Sequence, residues 1–295
     1  MTAARERVVV DLAAAARRVE SGMTVGVGGL GPSSHPMALL HQVIRQGTRD
    51  LTVVAGPMAG LDVDLLIAAG CVREVVCSYV GAERLAPIGP AYRRAVERGE
   101  VAVREVDEGI WVQALRAAAQ LVPFQTWRGG VGTALPDRNR DLRVIDDPFG
   151  GPALLAVRAL PLDVALIHAA TADAYGNVQH VGTGFADRLQ SQAADLTIVQ
   201  VERVESNEAI RRAPWLTTIP DADLVVHAPG GAHPYASPGH FVEDEPFLRE
   251  YVEAAKAGGA ALAGWLDRYV YGCADHFDYL DRLGLRRLFG LGDYP

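Results

Sequence analysis

Lysine is almost missing from this sequence: Lys256 is the only one, and the other basic residues are scattered arginines. No polybasic run is present to hold the chain on an anionic membrane. A net charge of -8 leaves no electrostatic footprint for nucleic acid. Cysteine is scarce too. Cys71, Cys77 and Cys273 are odd in number and have no CxxC spacing, which argues against a disulfide framework or a zinc site and suits a reduced, cytoplasmic setting. No apolar run reaches the roughly 18 residues of a membrane helix; the longest candidate, 154–172, is broken by Arg158, Pro161, Asp163 and His168. The start, Met1-Thr-Ala-Ala-Arg-Glu-Arg7, is charged where a signal peptide needs an apolar stretch. There is no GK[ST] phosphate loop and no GxGxxG with an acidic residue at ribose spacing, so ATP and dinucleotides are disfavoured. Ser33 and Ser34 lack the Gly-x-Ser-x-Gly of a hydrolase elbow. No histidine pair stands four apart beside a carboxylate, so no metal site is expected.

What is present is an alternation of helix and strand in 295 residues that are 49% hydrophobic, enough for a large core. Residues 8–19 have helical apolar spacing. Residues 24–27 read as a buried strand entering a glycine-rich turn, Gly28-Gly-Leu-Gly-Pro32, and 36–45 as a helix with proline in its first turn. Strands follow at 51–55, 72–80 and 101–106, with helices at 62–69, 91–98 and 109–120. Later strands fall at 164–169, 196–202 and 224–227, and later helices at 245–257 and 261–269. Short β-branched runs separated by helices predict an α/β fold, a mostly parallel sheet with helices on both faces. Residues 1–295 read as one domain, with an irregular loop at about 128–152 near the active site.

Two features carry chemistry. Gly28 and Gly29 follow a strand and let backbone N–H groups approach a ligand closely. The helix start at Pro36 adds partial positive charge, so the turn is a candidate anion or oxyanion site; a plain tight turn explains the same residues. The second feature, Val103-Arg-Glu-Val-Asp-Glu-Gly109, runs off a strand into a helix, where open α/β sheets place their sites. Glu105, Asp107 and Glu108 offer candidate carboxylates, and burial beside Asp107 is expected to raise one pKa into the general acid–base range. The alternative is a solvated acidic cluster at a helix N-terminus. His35 and His233 each either line a pocket or fix a turn, and His168 reads as a satisfied core histidine.

The segment Gly22-Met-Thr-Val-Gly-Val-Gly-Gly-Leu-Gly-Pro-Ser-Ser-His-Pro36 resembles the N-terminal signature of family I CoA-transferases, with Leu30 replacing a phenylalanine and Ser34 a glycine. Asp50-Leu-Thr-Val-Val54, Asp146-Asp-Pro-Phe149, Val164-Ala-Leu-Ile-His168, Ala172-Asp-Ala-Tyr-Gly-Asn177, Glu208-Ala-Ile-Arg-Arg212 and Ala228-Pro-Gly-Gly-Ala-His-Pro234 resemble segments of the alpha subunit of glutaconate CoA-transferases, in the same order. The resemblance implies the family I CoA-transferase fold, a beta-type partner in a heterotetramer or larger assembly, and an acyl-CoA thioester as substrate with no permanently bound cofactor. It implies a nucleophilic glutamate on the partner, since the beta-chain Ser-Glu-Asn-Gly motif is absent here. This chain's share would then be half of the pocket and part of an oxyanion site: Gly28, Gly29, Leu30, Gly31, Ser34, His35, Ser78, Gly81 and His233.

Glu108 stands where that family often has glutamine, so the resemblance makes it the candidate catalytic carboxylate, with Glu105 the fallback; a carboxylate cannot donate to an oxyanion unless protonated. The run Arg104-Glu-Val-Asp-Glu-Gly109 is also similar to one in the alpha chain of steroid ring-cleaving CoA-thioester hydrolases. The first expectation is thus the alpha subunit of a CoA-transferase. The alternatives are a C–C bond hydrolase using Glu108 in a retro-Claisen ring opening, and a non-catalytic chain that stabilises its partner.

Overall fold

The computed structural model describes residues 6–56 and 58–292. Met1 to Arg5, part of the charged start, lie outside the described residues. The strands are β1 Val9–Val10, β2 Thr24–Val27, β3 Leu51–Ala55, β4 Val72–Cys77, β5 Ala102–Glu105, β6 Phe124–Trp127, β7 Leu142–Ile145, β8 Leu154–Arg158, β9 Leu162–Asp173, β10 Val178–Gln179, β11 Ala194–Glu205, β12 Thr217–Ile219 and β13 Leu224–His227. The helices are α1 Leu12–Ala16, α2 Met37–Arg45, α3 Leu61–Ala68, α4 Pro90–Glu97, α5 Glu108–Ala119, α6 Leu135–Arg138, α7 Asp187–Ala193, α8 Asn207–Arg212, α9 Glu245–Ala257, α10 Gly259–Leu266, α11 His276–Leu283 and α12 Leu285–Gly290, with a π-helical turn at Asp267–Tyr271 after α10.

The main sheet has the order β1-β13-β11-β9-β2-β3-β4-β5, and every pair along it is parallel. The short β10 adds antiparallel pairs to β9 and β12. The predicted α/β architecture is therefore what the chain builds. Burial explains why. All five residues of β3 are buried, and successive valines face opposite helical layers. Val53 and Val75 join one core with α2, α3 and α9, while Val54 and Val76 join a second with α5.

The chain steps outward from β2 to β5, then returns to β9 on the other side of β2. β2 and β9 thus bound the topological switch point, and ligands of open α/β sheets bind outside the C-terminal strand ends at such a point. The glycine-rich turn leaves β2 there.

Two expectations need correction. Residues 128–152 are not wholly irregular: α6 and β7 form within them, and β7 joins β6 and β8 in a three-stranded antiparallel sheet. Its strands are short and half-exposed, and apolar Phe124 and Val144 face outward beside polar Thr126 and Arg143, which hides the period of two. Residues 8–19 are not one helix. Val9–Val10 pairs with β13, and α1 starts only after Asp11, whose carboxylate accepts from Ala14 N–H.

Candidate active site

The loops after β2, β3, β4, β5 and β13 gather along one rim of the sheet because their strands are parallel. The turn after β2 divides two clefts. One, of ≈ 130 Å³, is lined by Gly31, Pro32, Met58, Tyr79, Gly81 and Glu243. The other, of ≈ 150 Å³, is lined by Gly29, Leu30, Ser33, Ser34, Phe185 and Asp187. Of the residues singled out in the sequence, Gly31 and Gly81 fall in the first cleft, and Gly29, Leu30 and Ser34 in the second. Ser78 is exposed at the end of β4, Gly28 is buried in the turn, and His35 is buried beneath it.

The turn's own N–H groups are largely spent within the protein. Gly28 N–H donates to Leu166 O, Leu30 to Ser33 O, Ser33 to Leu30 O and Ser34 to Ala236 O, at 2.8 to 3.1 Å. Gly29 N–H donates to the buried Asp187 carboxylate at 3.0 Å. Gly31 N–H makes the longest of these bonds, 3.3 Å to Met58 O, beside the first cleft. The glycines at positions 28 and 29 make room for these contacts. A Cβ on Gly28 would sit 2.7 Å from Asp187 Oδ1, and one on Gly29, at φ +89°, 2.7 Å from Ser34 O. The anion site expected at the start of α2 is closed as well: Ala38 N–H donates to Gly231 O and Leu39 N–H to Gln200 Oε1, both at 2.9 Å.

His–Asp pairs brace the turn from both sides. His35 Nδ1 lies 2.8 Å from Asp62 Oδ2 and its Nε2 3.0 Å from Gly31 O. On the other side His180 Nε2 lies 3.2 Å from Asp187 Oδ2. His233 lines neither cleft. It is 1% exposed and held between Tyr279 and Asp244, so it fixes a turn. Asp187 carries no helical pattern that would have found it. Asp62 had a signal: two aspartates interrupt the apolar run Leu61-Asp-Val-Asp-Leu65, and both are buried.

Glu108 is the first residue of α5 and is exposed. Asp107 does not share a buried site with it. The Asp107 carboxylate turns inward to cap the helix, accepting from Ile110 N–H at 2.6 Å. The expected burial of the acidic pair is therefore absent in this chain. Glu108 makes no ion pair among the described residues and sits where the helix dipole favours a carboxylate. It follows β5, three strands from β2, so strand spacing puts it roughly 14 Å across the rim from the glycine turn. Glu105, at the end of β5, is also exposed.

A model of coenzyme A transferases matches residues 9–225. The cholesterol ring-cleaving hydrolase IpdA subunit of Rhodococcus jostii is 35% identical over 282 residues, 91% of this chain and 93% of its own. The chain belongs to the coenzyme A transferase family. Within it the chain is of the alpha type: the corresponding subunit of the glutaconate CoA-transferase of Acidaminococcus fermentans is 32% identical over 96% of this chain and 93% of its own. The crystal structure of that transferase superposes with a TM-score of 0.93 at 32% identity, covering 97% of this chain and 96% of the other. An Archaeoglobus fulgidus protein is 35% identical over 94% of this chain, which spans 64% of that protein's length.

Side chains of this coenzyme A transferase chain that resemble nucleophiles are not arranged as such. Ser237 Oγ lies 2.9 Å from His168 Nε2. Gln200 Oε1 accepts from Leu39 N–H, so its amide nitrogen donates to His168 Nδ1 at 3.0 Å. The His168 proton therefore sits on Nε2 and points at Ser237, the reverse of what a base needs. Burial, followed by the fields of neighbouring histidines, lowers the His168 pKa to about 3, in keeping with a satisfied core histidine. Burial pushes the Cys77 thiol up to about 12, and Cys71 is buried and raised too. Among the described residues no three His, Cys, Asp or Glu side chains converge to hold a metal, and no helix is long and apolar enough to cross a membrane.

Proposed function

We propose that this chain is the alpha-type half of a two-subunit CoA-transferase, moving CoA between an acyl-CoA and a carboxylic acid. The CoA thioester is a substrate, and the nucleophilic glutamate comes from a beta-type partner in a heterotetramer or larger assembly. The observation that carries this reading is the division of labour on the rim. The glycine turn frames two clefts, yet Ser237 is hydrogen-bonded the wrong way to attack and the cysteines are buried. Such a chain contributes walls to a pocket and leaves the attacking group to its partner. Gly31 N–H, with its long bond to Met58 O, is the turn donor best placed to shift to a thioester oxygen.

A second reading is favoured by Glu108, an exposed carboxylate on the same rim that makes no ion pair among the described residues. In a C–C hydrolase it would activate water or carry a proton in a retro-Claisen cleavage of a CoA-thioester diketone. The relative named for cholesterol ring cleavage makes this the leading alternative.

The deciding experiment is turnover by the co-expressed pair, wild type against Glu108→Gln, over a panel of acyl-CoAs with and without carboxylate acceptors. Acceptor-dependent transfer that survives Glu108→Gln is the expected outcome. Acceptor-independent cleavage that Glu108→Gln lowers by about 100-fold or more in an intact complex would replace the transferase reading with the hydrolase. Full activity of the beta chain alone would leave this chain a stabilising role only.

A further inference from the structure

His35 is enclosed by groups that can only accept. Its Nδ1 faces the Asp62 carboxylate at 2.8 Å and its Nε2 faces the Gly31 carbonyl at 3.0 Å. A carbonyl oxygen cannot donate, so Nε2 carries a proton, and with Asp62 ionised Nδ1 carries one too. The ring is 1% exposed, and the Tyr235 ring lies against it with centroids 3.9 Å apart, a face suited to a cation. We propose that His35 is held as a buried imidazolium by Asp62 and is a positioning residue: it clamps the Gly31 carbonyl, and so steadies Gly31 N–H, whose long bond to Met58 O lies beside the first cleft.

The lever is short. Gly31 has φ +55°, and its carbonyl and N–H flank a single Cα. Holding the oxygen inward narrows the directions open to the N–H. Other charged and titratable groups act on this ring from several elements. Asp62 belongs to α3 and Asp187 to α7, Glu243 precedes α9, and His168 lies on β9. Burial alone would lower the His35 pKa, but the charge and hydrogen bond of Asp62 outweigh it, helped by Gly31 O and Asp187, and raise it. The strut is therefore expected to weaken only on the alkaline side, where the imidazolium gives up its proton.

The role at the cleft rests on the acyl-CoA reading above, but the charge and the clamp can be read without turnover. The full chain, 15N-labelled, is titrated while long-range spectra report the His35 ring nitrogens and amide spectra report Gly31. Two protonated nitrogens at neutral pH are expected, with the Gly31 amide moving in step with their alkaline titration. Asp62→Asn keeps an oxygen for Nδ1 but removes the charge, and should lower the ring's titration by at least about one pH unit. A single ring N–H at neutral pH in the wild type, with the proton resident on Asp62, overturns the proposal, as does a Gly31 amide that ignores the His35 titration. The wild-type titration decides even if Asp62→Asn does not fold. In the assembled enzyme, the alkaline limb of kcat/KM should move to lower pH in Asp62→Asn, with KM little changed. An unmoved limb would also overturn the positioning role. A complex that turns over no acyl-CoA would sink the functional reading while the spectra still decide this one.

Discussion

Glu202 lies buried beside the loop after β13, where its Oε2 accepts from Gly230 N–H at 2.7 Å. Burial raises its pKa from 4.5 to about 7, against the lowering effect of its hydrogen bonds. An acid raised on folding stabilises the fold fully below its unfolded value and loses that contribution as pH rises through the folded one. Stability should therefore decline between roughly pH 4.5 and 7, by at most about 3 kcal/mol at 1.36 kcal/mol per unit. Glu202→Gln is expected to flatten this slope, which thermal melts of both proteins from pH 5 to 8 would reveal. At this scale the sequence was a partial guide. It marked Gly28 and Gly29 as special but not why: the aspartate that fills the space beside them, Asp187, lies 158 residues from Gly29.

At the scale of elements, α5 matters most for the candidate carboxylate. Its N-cap bond from Asp107 fixes the turn that presents Glu108 on the rim. Asp107→Ala should cost about 1 kcal/mol through the lost cap. It should also lower any Glu108-dependent rate more than it lowers the melting temperature, a comparison that needs only melts and kinetics of one variant. The helix itself was legible, because 109–120 is made of good helix formers in helical spacing. β2, β3 and β13 were legible as apolar β-branched runs. The antiparallel sheet of β6, β7 and β8 was not, since strands of four or five half-exposed residues carry too few periods to stand out. α7 was missed too. It is seven residues long and ends directly in β11, with no turn residue to mark the boundary.

For the whole molecule, the parallel sheet places five loops on one rim, yet among the described residues that rim holds no activated serine or cysteine. The expected consequence is that this chain alone turns over no acyl-CoA, while the pair with its beta-type partner does. Kinetics of each chain singly and together would check it; turnover by the single chain would mean that one of its own carboxylates suffices.

The order of helices and strands, and hence the α/β class, came from the sequence by itself, because buried parallel strands must be continuous apolar runs and the helices between them must be amphipathic. The glycine turn stood out as a candidate site through a local signal too, adjacent glycines after a strand. Which N–H groups of that turn and of the helix after it stay available was decided only by the tertiary structure. Gly29 and Leu39 donate to Asp187 and Gln200, residues 158 and 161 positions away, and no local pattern records a partner that distant. The same holds for the charge on His35: its carboxylate lies 27 positions along the chain on α3, and folding alone sets both acceptors against one ring.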